Sequence, residues 1–201
     1  MTREWIIANK RKINMRVSKI KAWCTTHLFT NWDGSTSDVA AGKEPEHILG
    51  AELIGLESIG KHVLVTFRKG HHTTVLHCCR GRGGGAKNGA LMSLGFEKFE
   101  KGQWKSSAQT LSFYIPHNRR MYPGFLSSSV KIVTQEEADD LRRRLYPLDI
   151  SGDHFNPDAV MAALSSCDQS QTISVALLNQ NIFCGLGNVI RVECLHAHKL
   201  Q

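Results

Sequence analysis

The chain lacks any Cys-x2-Cys pair. Its six cysteines are Cys24, Cys78, Cys79, Cys167, Cys184 and Cys194. Zinc ribbons and fingers need two close pairs at ligand spacing, so no metal site is expected and free thiols in a reducing compartment are the default. No stretch reaches the ~18 consecutive apolar residues of a membrane-spanning helix, so no membrane partner is expected. The N-terminus also lacks the roughly 7–15-residue apolar stretch of a secretory signal, and the protein is not expected to be secreted. Acidic residues are comparatively few: 18 Asp and Glu stand against 25 Lys and Arg, a formal charge of +7 before ten histidines are counted. That excess points towards a polyanionic partner. What is present is enough apolar material for a core, at 41% of 201 residues. This excludes a disordered or collagen-like chain and fits one medium domain or two small ones.

Met1 to Lys21 is strongly basic, carrying Arg3, Lys10, Arg11, Lys12, Arg16, Lys19 and Lys21 against Glu4 alone. It reads either as a nuclear or organellar address or as a strand or arm facing nucleic acid. Alternation at Ile13, Met15 and Val17 predicts a strand over 13–20. Residues 31–47, with Asp33-Gly34-Ser35, Gly42 and Pro45, read as a loop. From Ile48 the pattern is that of consecutive antiparallel strands joined by tight turns at Gly60-Lys61 and Arg68-Lys69-Gly70. Arg80 to Gly89 is glycine-rich and basic, but lacks the Lys-Ser or Lys-Thr ending and following helix of a phosphate cradle. A flexible basic loop is the expectation there, with further strands over 90–116.

The character changes at Thr134. Thr134-Gln-Glu-Glu137 is a capping box, acids fill the first turn, and Arg142-Arg143-Arg144 complement the helix dipole in the last. Pro147 ends that helix. Asn156-Pro157 starts another as N-cap and first residue. A third is expected over Ile173–Asn181 with Ile173, Leu177 and Leu178 buried, and a fourth from near Asn188. Strands first and helices after give an α+β protein. The expected parts are a basic segment (1–45), an antiparallel β-sandwich-like domain (46–132) and an all-helical domain (133–201). The last two helices are joined by Cys184-Gly185-Leu186-Gly187. Unpaired amides at the following helix N-terminus attract anions. The same glycines also suit an ordinary helical hairpin.

Leu177-Leu178-Asn179-Gln180, then Gly185-Leu186-Gly187-Asn188, then Arg191-Val192-Glu193 resembles the helix-two-turn-helix module of the formamidopyrimidine-DNA glycosylase / endonuclease VIII family. Asn179 stands in place of the family's acid. Leu145 to Phe155 is similar to the entry to that module. A weaker resemblance covers residues 46–125, where Gly60-Lys61 falls on the family's glycine-lysine. The resemblance implies that Lys61 binds phosphate beside a lesion, with Gly185, Gly187 and Asn188 also contacting DNA. It implies that Arg119 and Met121, with Arg120 beside them, fill the gap left by a flipped base. His77-Cys78-Cys79-Arg80 departs from the family at this point, because the glycine and the intercalating methionine are both lost.

Family enzymes attack C1′ of the damaged nucleotide with an N-terminal proline amine followed by glutamate. This chain begins Met1-Thr2-Arg3-Glu4. Removal of Met1 would leave Thr2 with a primary amine and Glu4 as the acid. Ser174 stands where some members carry a lesion-sensing lysine, and the sequence stops where the family continues into a finger. An incomplete or diverged member is therefore expected. The implied function is base-excision repair: a DNA glycosylase and AP lyase for oxidised bases, with no cofactor. Its partner would be duplex DNA carrying a damaged base or abasic site. It would act as a monomer in the nucleus or another DNA-containing compartment. The alternative is a catalytically inactive relative that still binds damaged DNA. A third reading, an RNA- or ribosome-binding protein, fits poorly with the β-rich front half.

Overall fold

The computed structural model describes residues 2–22, 29–30, 36–37, 48–79, 92–113 and 129–200. Contacts divide the chain into two compact units. The first comprises Met1–Ser58 and His62–Ala138; the second comprises Ile59–Lys61 and Asp139–Gln201.

The first unit opens with helix α1 (Thr2–Asn9) and a short three-ten turn at Lys10–Lys12. The sequence pattern did not anticipate this helix; of its two isoleucines Ile6 is buried and Ile7 is exposed, and the cations of Lys10–Lys12 follow directly. Strand β1 (Arg16–Ala22) follows, so the predicted 13–20 strand begins later than expected. The short strands β2 (Phe29–Thr30) and β3 (Thr36–Ser37) pair with each other, and β3 interrupts the expected 31–47 loop.

The remaining strands are β4 (Glu52–Ile59), β5 (His62–Lys69), β6 (His72–Cys79), β7 (Met92–Glu100), β8 (Gln103–Phe113) and β9 (Ser129–Val133). Together with β1 they form one seven-stranded sheet in the order β8-β7-β1-β4-β5-β6-β9. Hairpins account for the β5–β6 and β7–β8 pairs, while β1 is inserted antiparallel beside β7. One face of these strands supplies the core: Val17, Leu53, Val65, Phe67, Leu76, Leu94, Phe96 and Leu111 are all essentially solvent-free. Burial on this scale, at ~25 cal/mol per Å2 of apolar surface, is the main force holding the sheet.

Several polar groups enclosed in this unit are paired, whereas Gln109 Oε1 is buried without a partner among the described residues. His62 Nδ1 and His77 Nε2 lie 2.9 Å apart, so one ring donates and the other accepts. Arg16 bonds Glu97 and lies over the Trp104 ring, with the guanidinium carbon 4.4 Å from its centroid. Lys12 is buried and donates to Asn9 Oδ1. In the basic N-terminal stretch, Lys12 and Arg16 are thus committed within the fold.

Helix α2 (Gln135–Leu145) begins in the first unit and continues into the second. Its capping box is reciprocal: Thr134 N–H donates to Glu137 Oε2 at 2.8 Å and Glu137 N–H to Thr134 Oγ1 at 3.1 Å. Pro147 converts the chain to a three-ten turn at Tyr146–Leu148. Helix α3 (Pro157–Ser166) packs against that turn, and Asn156 caps it by accepting from Asp158 N–H and Ala159 N–H.

The third predicted helix is much shorter than expected. Helix α4 (Ile173–Ala176) gives way to tight turns in which Leu178 N–H bonds Val175 O and Asn179 N–H bonds Ala176 O. The Asn179 side chain then accepts from Asn181 N–H, which favours a turn over further helix. Ile173 is therefore 43% exposed, while Ala176 takes the buried place. Helix α5 (Asn188–Ala197) completes the unit. The whole is an α+β protein, with an antiparallel sheet followed by helices. Among the described residues, no helix is long and apolar enough to cross a membrane.

Candidate nucleic-acid interface

The site lies in the second unit and is assembled from two backbone turns. Gly60 and Lys61 form the β4–β5 turn, and 183–187 lead into α5. Gly60 has φ +54° and Gly185 has φ +88°, a region that glycine enters without strain. The two residues face each other closely. A Cβ on Gly60 would lie 2.5 Å from the Gly185 nitrogen, and a Cβ on Gly185 would lie 3.1 Å from Gly60 Cα. Only a pair of hydrogens fits this contact. Gly187 differs from both. A Cβ there would meet nothing within 4 Å, so its outer side is open to an approaching group.

The close approach sets Lys61 beside the entrance to α5. Its ammonium donates to Leu186 O at 2.5 Å, on the peptide that leads into Gly187. Gly187 is the helix N-cap and contributes no side chain. The first intrahelical bond comes from Arg191 N–H to Gly187 O at 3.0 Å. The amides of Asn188, Val189 and Ile190 therefore have no intrahelical acceptor, and among the described residues no other group accepts from them. An ammonium next to a helix N-terminus with free amides can attract an anion such as a phosphate oxygen.

Two residues that lie within the quoted motifs but were assigned no role of their own hold this arrangement. Asp149 is buried; its Oδ2 accepts from Gly60 N–H at 2.8 Å, and its Oδ1 accepts from Ser151 N–H and Ser151 Oγ. Gln180, also buried, donates from Nε2 to Leu178 O and Leu186 O, while its Oε1 accepts from Gly185 N–H at 3.1 Å. For Asp149 the available signal was an acid set between the apolar neighbours Leu148 and Ile150. Such placement implies a buried polar group with fixed partners. Gln180, between Asn179 and Asn181, offered no such signal.

The structure thus brings together Lys61, Gly185, Gly187 and Asn188. Asn188 is the first residue of α5, and the cap position falls to Gly187. Thr2 and Glu4 lie in the first turn of α1, in the other unit. Arg119, Arg120 and Met121 lie outside the described residues, as does the loop at 80–89. Ser174 is occupied by a neighbour: Arg191 donates from Nη1 to its hydroxyl at 2.9 Å, tying α5 to α4. Arg191 Nε is buried without an acceptor.

Solved structures share this architecture. A viral DNA glycosylase superposes with a TM-score of 0.58 at 16% identity, covering 97% of this chain and 69% of that one. The MutM (Fpg) protein from Thermus thermophilus does so with a TM-score of 0.60 at 15% identity, covering 96% and 61%. An inhibited LlFpg in complex with DNA containing N7-benzyl-Fapy-dG gives 0.62 at 14% identity, covering 100% and 67%. The chain has the fold of these DNA glycosylases. It spans 61–69% of their lengths. No protein-family model and no curated protein sequence matches it.

Proposed function

We propose that the protein is a DNA glycosylase of base-excision repair that grips duplex DNA through a backbone phosphate held by Lys61 and the α5 amides. The observation that carries this reading is the Lys61 ammonium beside the uncapped α5 N-terminus, in a fold shared with DNA glycosylases. The ligand is a damaged base or abasic site in duplex DNA, bound by a monomer without a cofactor. The working place is the nucleus or another DNA-containing compartment. Contacts of this kind position the protein without reading sequence, so the base must be selected elsewhere. Arg119, Arg120 and Met121 remain the candidates for occupying the gap left by an extruded base.

For the chemistry, the candidate nucleophile is the Thr2 amine exposed by removal of Met1. An α-amino group titrates near ~7.7–8.0, so roughly a fifth to a third is neutral at physiological pH. Its lone pair would bond C1′ while the damaged base leaves with the glycosidic electron pair and takes the amine's proton. Glu4 would then protonate the ring oxygen as the C1′–O bond breaks, leaving an iminium. Borohydride reduction traps that iminium. Incubation of the Met1-processed protein with abasic-site duplex and borohydride is expected to give a covalent adduct. Salt-sensitive binding with no adduct would instead establish the inactive DNA-binding alternative. Absence of both would overturn the proposal.

A further inference from the structure

We infer that Asp149 is a positioning residue that sets Lys61 in register with the α5 N-terminus and influences DNA only through Lys61. The inference rests on the phosphate-contact reading above. Asp149 is joined in two directions at once. Its backbone segment pairs with the turn before α5: Cys184 N–H donates to Leu148 O at 3.0 Å and Ile150 N–H to Cys184 O at 3.2 Å. Its side chain reaches the other way, to the amide of Gly60, 89 residues distant in sequence and adjacent to Lys61. One residue therefore links the turn that carries the cation to the turn that carries the helix amides.

The chemistry of the group fits this task. A buried carboxylate is tolerated only when its lone pairs are occupied. Three donors occupy these: two from Ser151, which shape the local turn, and one from Gly60. The Ser151 bonds alone would make an ordinary turn without any need for Gly60. The space is also closely fitted, since Cβ positions at Gly152 and Gly185 lie 3.2 and 3.3 Å from Asp149 atoms. The missing side chains at these two glycines leave the carboxylate its room. With the Gly60 amide fixed, the Lys61 side chain starts from a fixed point, and its ammonium meets Leu186 O, which Gln180 also holds.

The test is a double-mutant cycle between Asp149→Asn and Lys61→Met, read as duplex-DNA affinity over a salt series. The asparagine keeps the size but cannot accept at every position the carboxylate does. Lys61→Met is expected to reduce the slope of log affinity against log salt by about 0.9, the value of one phosphate contact. Asp149→Asn is expected to produce the same loss in the Lys61 background and no further loss in the Met background. An equal weakening in both backgrounds, or an unchanged slope, would overturn the inference. A DNA-free arm separates this from failure of the phosphate reading. Acylation of Lys61 by an amine-selective reagent is expected to be slow in the parent and to rise to the rate of exposed Lys199 in Asp149→Asn. If parent binding proves insensitive to salt, the phosphate reading fails and the acylation rates alone decide whether Asp149 positions Lys61. Should Asp149→Asn not fold, Asp149→Ser, which retains an acceptor on a shorter arm, is put through the same two measurements. Unchanged Lys61 acylation in a folded variant would refute the inference.

Discussion

Lys12 sits in the basic stretch at the start of the chain, yet its side chain is buried against Asn9. Burial, with Arg11 adding repulsion, holds its pKa below the ordinary 10.5. Between that lowered value and 10.5 the unfolded chain binds more protons than the folded one, so stability rises with pH across the interval. Urea unfolding of the parent and of Lys12→Met is expected to show the parent gaining on the variant as pH climbs towards 10.5. A constant difference would refute this. The glycines of the interface make a second prediction at this scale. Gly60→Ala combines a left-handed φ with a backbone collision, and Gly185→Ala a left-handed φ with a tight backbone contact; each is expected to cost about 1–3 kcal/mol, the first more than the second. Gly187→Ala meets open space and is expected to cost under ~1 kcal/mol, through a poorer N-cap alone. Chemical denaturation of the three variants gives the order directly.

At the scale of elements, the parts with local grammar were legible. The Thr134–Glu137 box, the Asn156-Pro157 start and the alternating strands from 52 to 79 all follow from neighbouring residues. Asn156→Ala removes an acceptor shared by two amides and is expected to lower stability by ~1 kcal/mol, measured by urea unfolding. The parts without local grammar were missed. The apolar residues over 173–182 suit a helix, but the Asn179 side chain offers the backbone a competing turn, and α4 stops at Ala176. The neighbours of β1 in the sheet are set by pairings across dozens of residues, which no local pattern encodes. The candidate site divides in the same way. Lys61 and Asn188 could be read from short motifs, whereas Asp149 and Gln180 act on partners that only the folded chain brings near.

For the whole molecule, the sheet with α1 and the later helices are separate compact units, and Ile59, at the end of β4, counts with Gly60, Lys61 and those helices. The net charge of +7 supplies a general attraction to polyanions, while the proposed site would add one defined contact. Lys61→Met should therefore weaken binding to unrelated duplexes by one common factor, and that factor should shrink as salt rises. A sequence-dependent loss in a binding assay would count against a phosphate contact. The Lys61–Leu186 bond also has a temporal meaning, because it joins residues 125 positions apart. During synthesis the cation leaves the ribosome long before the helix it serves. Closing so long a loop is among the later events of folding. A growing chain can complete its sheet with Val133, yet it has no anion site until the amides of Asn188, Val189 and Ile190 have emerged. Retention of a phosphate ligand would therefore report that synthesis has passed α5, and shorter nascent chains should keep only the general, salt-sensitive attraction of their charge.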